Sequence, residues 1–147
     1  MNPLRFLEAI HGHFGILAAA SLLHPAILLR RGQQLSRGSR WALCLATAFA
    51  ITAFSFGIGI YESYRTTVKR GLFLIYPRAG FLFETKEHLA LVVVSLATGG
   101  LICALLAPPE ARSLRKAAAA SYFSAFVLAS LVCVLGTYVA GVHSFAE

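Results

Sequence analysis

Four long apolar segments dominate the pattern of hydrophobic and polar positions along the chain. A helix needs roughly 20 mostly apolar residues to cross the hydrocarbon core of a bilayer. None of the segments shows the strict apolar–polar alternation that is typical of a β-strand. The pattern therefore predicts an all-α membrane protein, a bundle of four transmembrane helices that forms a single domain over residues 1–147. The predicted spans are residues 4–29, 41–61, 88–107 and 118–142.

Charged residues and prolines mark the ends of these spans. The Arg30–Gly32 segment follows the first span, and Pro108–Pro109 follows the third. Both are signals that end helices. The first segment also carries Glu8 and two histidines ahead of its apolar stretch, whereas a signal peptide has a basic start and an uninterrupted apolar core. We therefore interpret it as a retained helix.

Basic residues fill the two short loops, and the tail after the fourth span contains neither Lys nor Arg. Short loops rich in Lys and Arg face the cytoplasm. We therefore expect both termini on the outer, periplasmic side of a bacterial inner membrane. The basic residues of the short loops are Arg30, Arg31, Arg37, Arg40, Arg112, Arg115 and Lys116.

The composition agrees with lipid as the solvent. Hydrophobic residues make up 58% of the chain and charged residues 13%, whereas about a quarter of the residues of a soluble domain are charged. The formal net charge is +7, but the charges lie between the apolar segments and do not follow one helical face, so a membrane is favoured over nucleic acid as the partner. The three cysteines form no CxxC motif, so no disulfide framework or covalent haem attachment is predicted.

The connection between the second and third spans, residues 62–87, is the longest one. It contains basic residues, then the apolar run Leu72–Tyr76, then Pro77 and Gly80. This mixture is typical of a segment that lies on the outer membrane surface with aromatic side chains among the headgroups. A surface strand or a contact surface for another subunit would show the same pattern.

Histidines gather near one membrane face in this topology. His11 and His13 lie in the outer turns of the first span, His88 opens the third and His143 closes the fourth. At the rise of an α-helix, His13 and His88 lie roughly 24 and 28 Å from the inner ends of their spans, so we expect them at similar depths. Because ionisable residues in transmembrane segments are costly and usually functional, this group is the main functional signal.

Two kinds of bound group fit these histidines. The first is a haem b ligated by His13 and His88 from two helices of the bundle. The second is a copper, iron or zinc ion, for which His11, His143 and Glu87 are alternative ligands or partners of the ligands. The plain alternative is that these histidines are polar residues at a hydrated interface, with no cofactor bound.

His24 lies on nearly the same helical face as His13, toward the opposite end of the first span. Pro25 follows it, and a proline leaves a helix carbonyl without its usual donor. We expect the imidazole of His24 to bond that carbonyl rather than to bind a metal.

Four spans with histidines near one face resemble, in architecture, small b-type cytochromes and the membrane-anchor subunits of respiratory complexes. The resemblance implies electron transfer within a larger membrane complex, rather than an independent enzyme. A quinone headgroup near Tyr61, Tyr64 and Arg65 would suit such a role. The alternative is a cofactor-free structural or accessory subunit that contacts lipid and other subunits. A channel or transporter is disfavoured, since no polar row lines one face.

Overall fold

The computed structural model describes residues 3–143, and these residues form helices joined by short connections. Four helical segments are long and apolar enough to cross a membrane, which confirms an all-helical, membrane-integral bundle. The second of these segments is built from α2, a short π-helical turn and α3. The helices are α1 Pro3–Leu29, α2 Arg37–Tyr64, α3 Arg70–Ile75, α4 Pro77–Leu106 and α5 Arg112–Val142, and the π-helical turn is Arg65–Lys69.

The long helices run up and down and form a closed ring. Helix α1 packs on α2 and α5, and α4 also packs on α5 and α2, so α1 and α4 lie on opposite sides of the ring. Alanines dominate the core, and small side chains let transmembrane helices approach closely. The space between the helices is therefore narrow. The buried alanines are Ala18, Ala19, Ala26, Ala46, Ala50, Ala53, Ala97, Ala104, Ala118, Ala119, Ala125 and Ala129.

Two short connections form one end of the bundle, which we call the loop end. Helix α1 stops in a turn where Gly32 has a φ of +65°, and its N–H donates to the carbonyl of Leu29 over 2.8 Å. Glycine adopts this left-handed conformation without a steric penalty. Helix α2 then starts behind Ser36, whose hydroxyl oxygen accepts the N–H of Ser39 over 3.1 Å, a standard N-terminal cap.

Arg115 joins the two connections of the loop end. Its side chain is 3% exposed, and it donates hydrogen bonds to the carbonyl oxygens of Gly32, Pro108 and Pro109 over 2.9, 2.8 and 2.7 Å. A planar guanidinium can serve three carbonyls at once, which an ammonium group does less well. Arg115 therefore holds the turn after α1 against the turn after α4.

The opposite end, which we call the hairpin end, differs from the expected surface loop. Residues 62–87 are helical on both sides of Tyr76, and the chain reverses there in a single step. Pro77 occupies the first turn of α4, where its missing N–H costs nothing. The prediction of a loop was wrong because the charged residues that seemed to end the spans pair with one another between the two helices. Both described chain ends, at α1 and α5, lie at the hairpin end.

Candidate functional site

His13 and His88, the predicted haem ligands, are exposed on the outside of the bundle. In each, Nδ1 lies close to the carbonyl oxygen four residues earlier, at 2.7 Å from Ala9 for His13 and 2.8 Å from Glu84 for His88. A carbonyl only accepts hydrogen bonds, so Nδ1 must carry the proton. When such an imidazole is neutral, its Nε2 atom keeps a lone pair that can accept a hydrogen bond or bind a metal.

The structure does not bring His13 and His88 together. They belong to α1 and α4, which lie on opposite sides of the ring, and both side chains face outward. The alanine-lined interior between these helices is narrow. A haem held by both residues inside a single chain does not fit this arrangement, and haem binding by this pair stays a prediction from the sequence.

His11 contacts the neighbouring helix rather than the other histidines. Its Nδ1 donates to the carbonyl oxygen of Ala53 on α2 over 2.9 Å. Gly57 lies beside the same ring, and a Cβ built at Gly57 would come within 3.0 Å of the imidazole Cε1 atom. His11 therefore fills a notch between α1 and α2 that only a glycine leaves open.

His143 caps the far end of α5, where its N–H donates to the carbonyl of Val139 over 3.0 Å. Its imidazole lies against α3, because a Cβ built at Gly71 would come within 2.9 Å of its Nε2 atom. This histidine therefore helps to hold α5 against the hairpin. Among residues 3–143, no three His, Cys, Asp or Glu side chains are grouped as a metal site.

Glu87, the expected partner of a histidine ligand, binds a lysine instead. Lys69 in the π-helical turn lies 3.3 Å from carboxylate oxygens of both Glu84 and Glu87 on α4. The Lys69 side chain is only 16% exposed. A π-helical turn often marks a functional position, and here it carries the cation that ties the two arms of the hairpin together.

The residues expected near a quinone headgroup, Tyr61, Tyr64 and Arg65, make contacts within the hairpin instead. The Tyr64 ring is buried and stacks on Phe83 with centroids 4.8 Å apart. Arg65 forms an ion pair with Glu62 at 2.9 Å. The hydroxyl of Tyr61 lies 3.5 Å from Lys69 Nζ. These residues stabilise the hairpin, and the quinone stays a prediction.

Lys86 was not singled out in the sequence. It lies between α4 and α5, and its Cδ atom would be 3.5 Å from a Cβ built at Gly136. Its ammonium lies 4.9 Å from the Phe83 ring centroid, and its charge interacts with those of Glu8 and Glu87. Its position beside Glu87, at the start of the apolar part of α4, was the available signal. Within residues 3–143, no carboxylate lies at salt-bridge distance from the ammonium of Lys86.

His24 does not make the predicted bond to its own helix. It is exposed, and its imidazole makes no hydrogen bond within residues 3–143. It lies instead on one outward stripe of α1, eleven residues from His13. Along α1 that corresponds to roughly 16 Å, within the thickness of the hydrocarbon core. The outward stripe of α1 consists of Ala9, His13, Ile16, Leu17, Ala20, His24 and Ile27, all exposed.

No family model matches the chain, and no curated protein and no solved structure matches it either.

Proposed function

We propose that this protein is an accessory subunit of a larger membrane assembly, packed through α1 against a transmembrane helix of a different subunit. The observation that supports the proposal is the outward stripe of α1, which carries two histidines on a face that no helix within residues 3–143 covers. An apolar bundle alone in lipid would have no use for imidazoles on that face.

The two histidines of the stripe lie at the depth of the hydrocarbon core. His24 lies roughly 8 Å and His13 roughly 24 Å from Leu29, where α1 ends at the loop end. Both positions fall within a hydrocarbon core of roughly 30 Å. A polar side chain in contact with lipid tails loses its hydrogen bonds to water, which costs free energy. A neighbouring subunit that covers the stripe removes this cost.

The fixed tautomer of His13 favours a different subunit over a second copy of this chain. In the neutral imidazole the proton on Nδ1 is donated to Ala9, so Nε2 only accepts. A twofold axis along the membrane normal would place equivalent residues of α1 at the same depth. Two Nε2 lone pairs would then face each other. A different subunit with a hydroxyl, amide or indole donor at this depth satisfies the atom instead.

Ala20 provides the sharpest test, because it is exposed at the middle of the stripe. In the native membrane, a tagged chain with Ala20→Phe should leave the assembly, since a bulky ring prevents close helix approach. We expect the assembled fraction on a native gel to fall about tenfold, which corresponds to roughly 1.4 kcal/mol. Ala48→Phe is the matched control, an exposed alanine on α2, and should leave assembly unchanged.

His13→Phe removes the acceptor without shortening the side chain much, and it should weaken assembly as well. The proposal fails if Ala20→Phe and Ala48→Phe behave alike. It also fails if the native particle contains only copies of this chain.

The second candidate function is electron transfer through a haem b held between this chain and a neighbouring subunit, at the outer face of α1 or of α4. It is supported by the outward Nε2 lone pairs of His13 and His88, the form of imidazole that binds iron. In that arrangement, this chain supplies one axial ligand and a neighbouring subunit supplies the other. The haem would carry the electrons, and the protein would position it and exclude water.

Oxidised and reduced absorption spectra of the intact assembly separate the two candidates. Electron transfer predicts a Soret band and sharp reduced bands. They should be lost with either His13→Ala or His88→Ala, whichever histidine supplies the axial ligand, and kept with His24→Ala. An intact assembly with no such bands would contradict the haem and leave the accessory role standing.

A further inference from the structure

The tip of the hairpin lies outside the bilayer. The apolar stretch of α5 begins at Ala117, directly after Lys116. Counted from there, roughly 28 Å of helix, which nearly equals the hydrocarbon thickness, reaches Gly136. Lys86 packs against Gly136 and therefore marks the edge of the hydrocarbon at the hairpin end. Pro77 lies nine residues farther along α4, roughly 14 Å beyond that edge.

This height places the tip above the lipid headgroups. A headgroup layer adds roughly 5–8 Å on each side of the hydrocarbon core, about half the rise from Lys86 to Pro77. A typical tilt of about 20° shortens the rise by only a few per cent. The tip therefore stands in water, held by the Lys69 ion pairs below it.

The tip exposes apolar side chains although it has water around it. Leu74 is 75% exposed, Ile75 is 66% exposed and Tyr76 is 47% exposed. Beside them an open groove of about 600 Å³ separates the tip from the end of α5, and Tyr76, Arg78 and Tyr138 contribute to its lining. Contiguous apolar surface next to a groove is typical of a protein interaction site.

The charge at the tip has one sign. Arg70 and Arg78 flank the apolar residues, and the sequence contains no Asp or Glu between Glu62 and Glu84. Those two carboxylates are engaged with Arg65 and Lys69. Within residues 3–143, no carboxylate lies at salt-bridge distance from Arg70 or Arg78.

We propose that the hairpin tip docks a partner protein outside the membrane, through a segment in which carboxylates stand next to apolar side chains. The apolar residues cover Leu74 and Ile75, and one carboxylate enters the groove and pairs with Arg78. Complementary charge of this kind mainly sets the association rate and the choice of partner. This interaction is independent of the α1 interface, since it involves the hairpin end and not the spans.

The test uses the full chain in phosphatidylcholine nanodiscs and two fluorescent peptides, one of leucine and glutamate and one of leucine and lysine. The leucine–glutamate peptide should bind and should bind more weakly as salt is raised. Arg78→Glu should lower its affinity about tenfold. Replacing Leu74 and Ile75 by serine should lower the affinity similarly. Arg37→Glu at the loop end is the matched control and should change nothing.

Tryptophan fluorescence tests the position of the tip. Trp41 is the single tryptophan of the chain, so Ile75→Trp in a Trp41→Phe background reports on the tip alone. We expect emission typical of water and no quenching by brominated lipid. Quenching would show that the tip lies in the membrane and would overturn the proposal. Equal binding of both peptides, an unchanged affinity with Arg78→Glu, or pairing of two chains through the tip would overturn it as well.

Discussion

Arg115 Nε donates a 2.9 Å hydrogen bond to the carbonyl oxygen of Gly32, 83 residues away in the sequence. The bond joins the start of α5 to the turn that ends α1. Because the same guanidinium also reaches the carbonyls of Pro108 and Pro109, one side chain satisfies backbone groups of both short connections. Buried carbonyls without a donor would destabilise this end of the bundle.

Replacing Arg115 should therefore lower stability strongly. Arg115→Ala leaves three carbonyls without their donors, and we expect a loss of about 2–4 kcal/mol in the free energy of unfolding. Arg115→Lys should recover only part of it, since an ammonium lacks the planar geometry. Denaturant unfolding in detergent measures both. Arg112→Ala, at an exposed residue of the same helix, is the control, and an equal loss there would contradict the role of Arg115.

Gly57 and Gly59 form a matched pair on α2. A Cβ at Gly57 would come within 3.0 Å of His11, whereas a Cβ at Gly59 meets nothing within 4 Å. We expect Gly57→Ala to displace His11 and destabilise the protein by about 1–3 kcal/mol, and Gly59→Ala to be neutral or slightly stabilising. Thermal unfolding of the two variants in the same detergent measures this difference in stability. Equal stabilities would mean that His11 does not occupy the notch.

Lys69 and Lys86 offer a second comparison at the hairpin end. Lys69 lies 3.3 Å from both Glu84 and Glu87, whereas Lys86 has no ion pair among the described residues. We expect Lys69→Met to lower the free energy of unfolding by about 1–3 kcal/mol and to speed proteolysis of the hairpin. Lys86→Met should leave the free energy of unfolding unchanged or slightly raised, because it removes a desolvated charge that has no ion pair within residues 3–143. A larger loss of stability with Lys86→Met than with Lys69→Met would show that the Lys69 ion pairs do not hold the hairpin together.

Thr47 and Tyr122 form a buried hydroxyl pair in the core. Their oxygens lie 2.8 Å apart, and the Tyr122 hydroxyl also donates to the carbonyl of Leu43 over 3.3 Å. Hydrogen bonds between transmembrane helices contribute about 0.6 kcal/mol on average, so Tyr122→Phe and Thr47→Val should each cost about 1 kcal/mol. A double-mutant cycle should show coupling, because both changes remove the same bond. Strict additivity would contradict the pair.

The apolar segments were sufficient to predict the fold class, because a membrane-spanning helix needs a long apolar run and four such runs are present. The ends of the helices at the hairpin end were not predictable in the same way. Lys69, Glu84 and Glu87 are polar in the sequence, and their pairing depends on two helices lying side by side. The sequence pattern therefore ended the second span too early, at residue 61, and began the third too late, at residue 88.

The orientation of the histidine side chains was also not predictable from the sequence. Counting along the helices predicted the depths of His13 and His88, but depth does not determine which way a side chain faces. Their outward orientation depends on the ring order of the helices, in which α1 and α4 lie opposite each other. Arg115 was noted only as a positive charge in a loop, since its partners are carbonyls on distant turns.

Native mass spectrometry of particles released from the native membrane tests the central claim most directly. The chain alone has a mass of 15.8 kDa. The accessory-subunit account predicts a larger particle that contains this chain together with at least one different protein, and predicts that Ala20→Phe releases the chain from it. A particle of 15.8 kDa with lipid alone, or multiples of that mass with no other protein, would contradict the account.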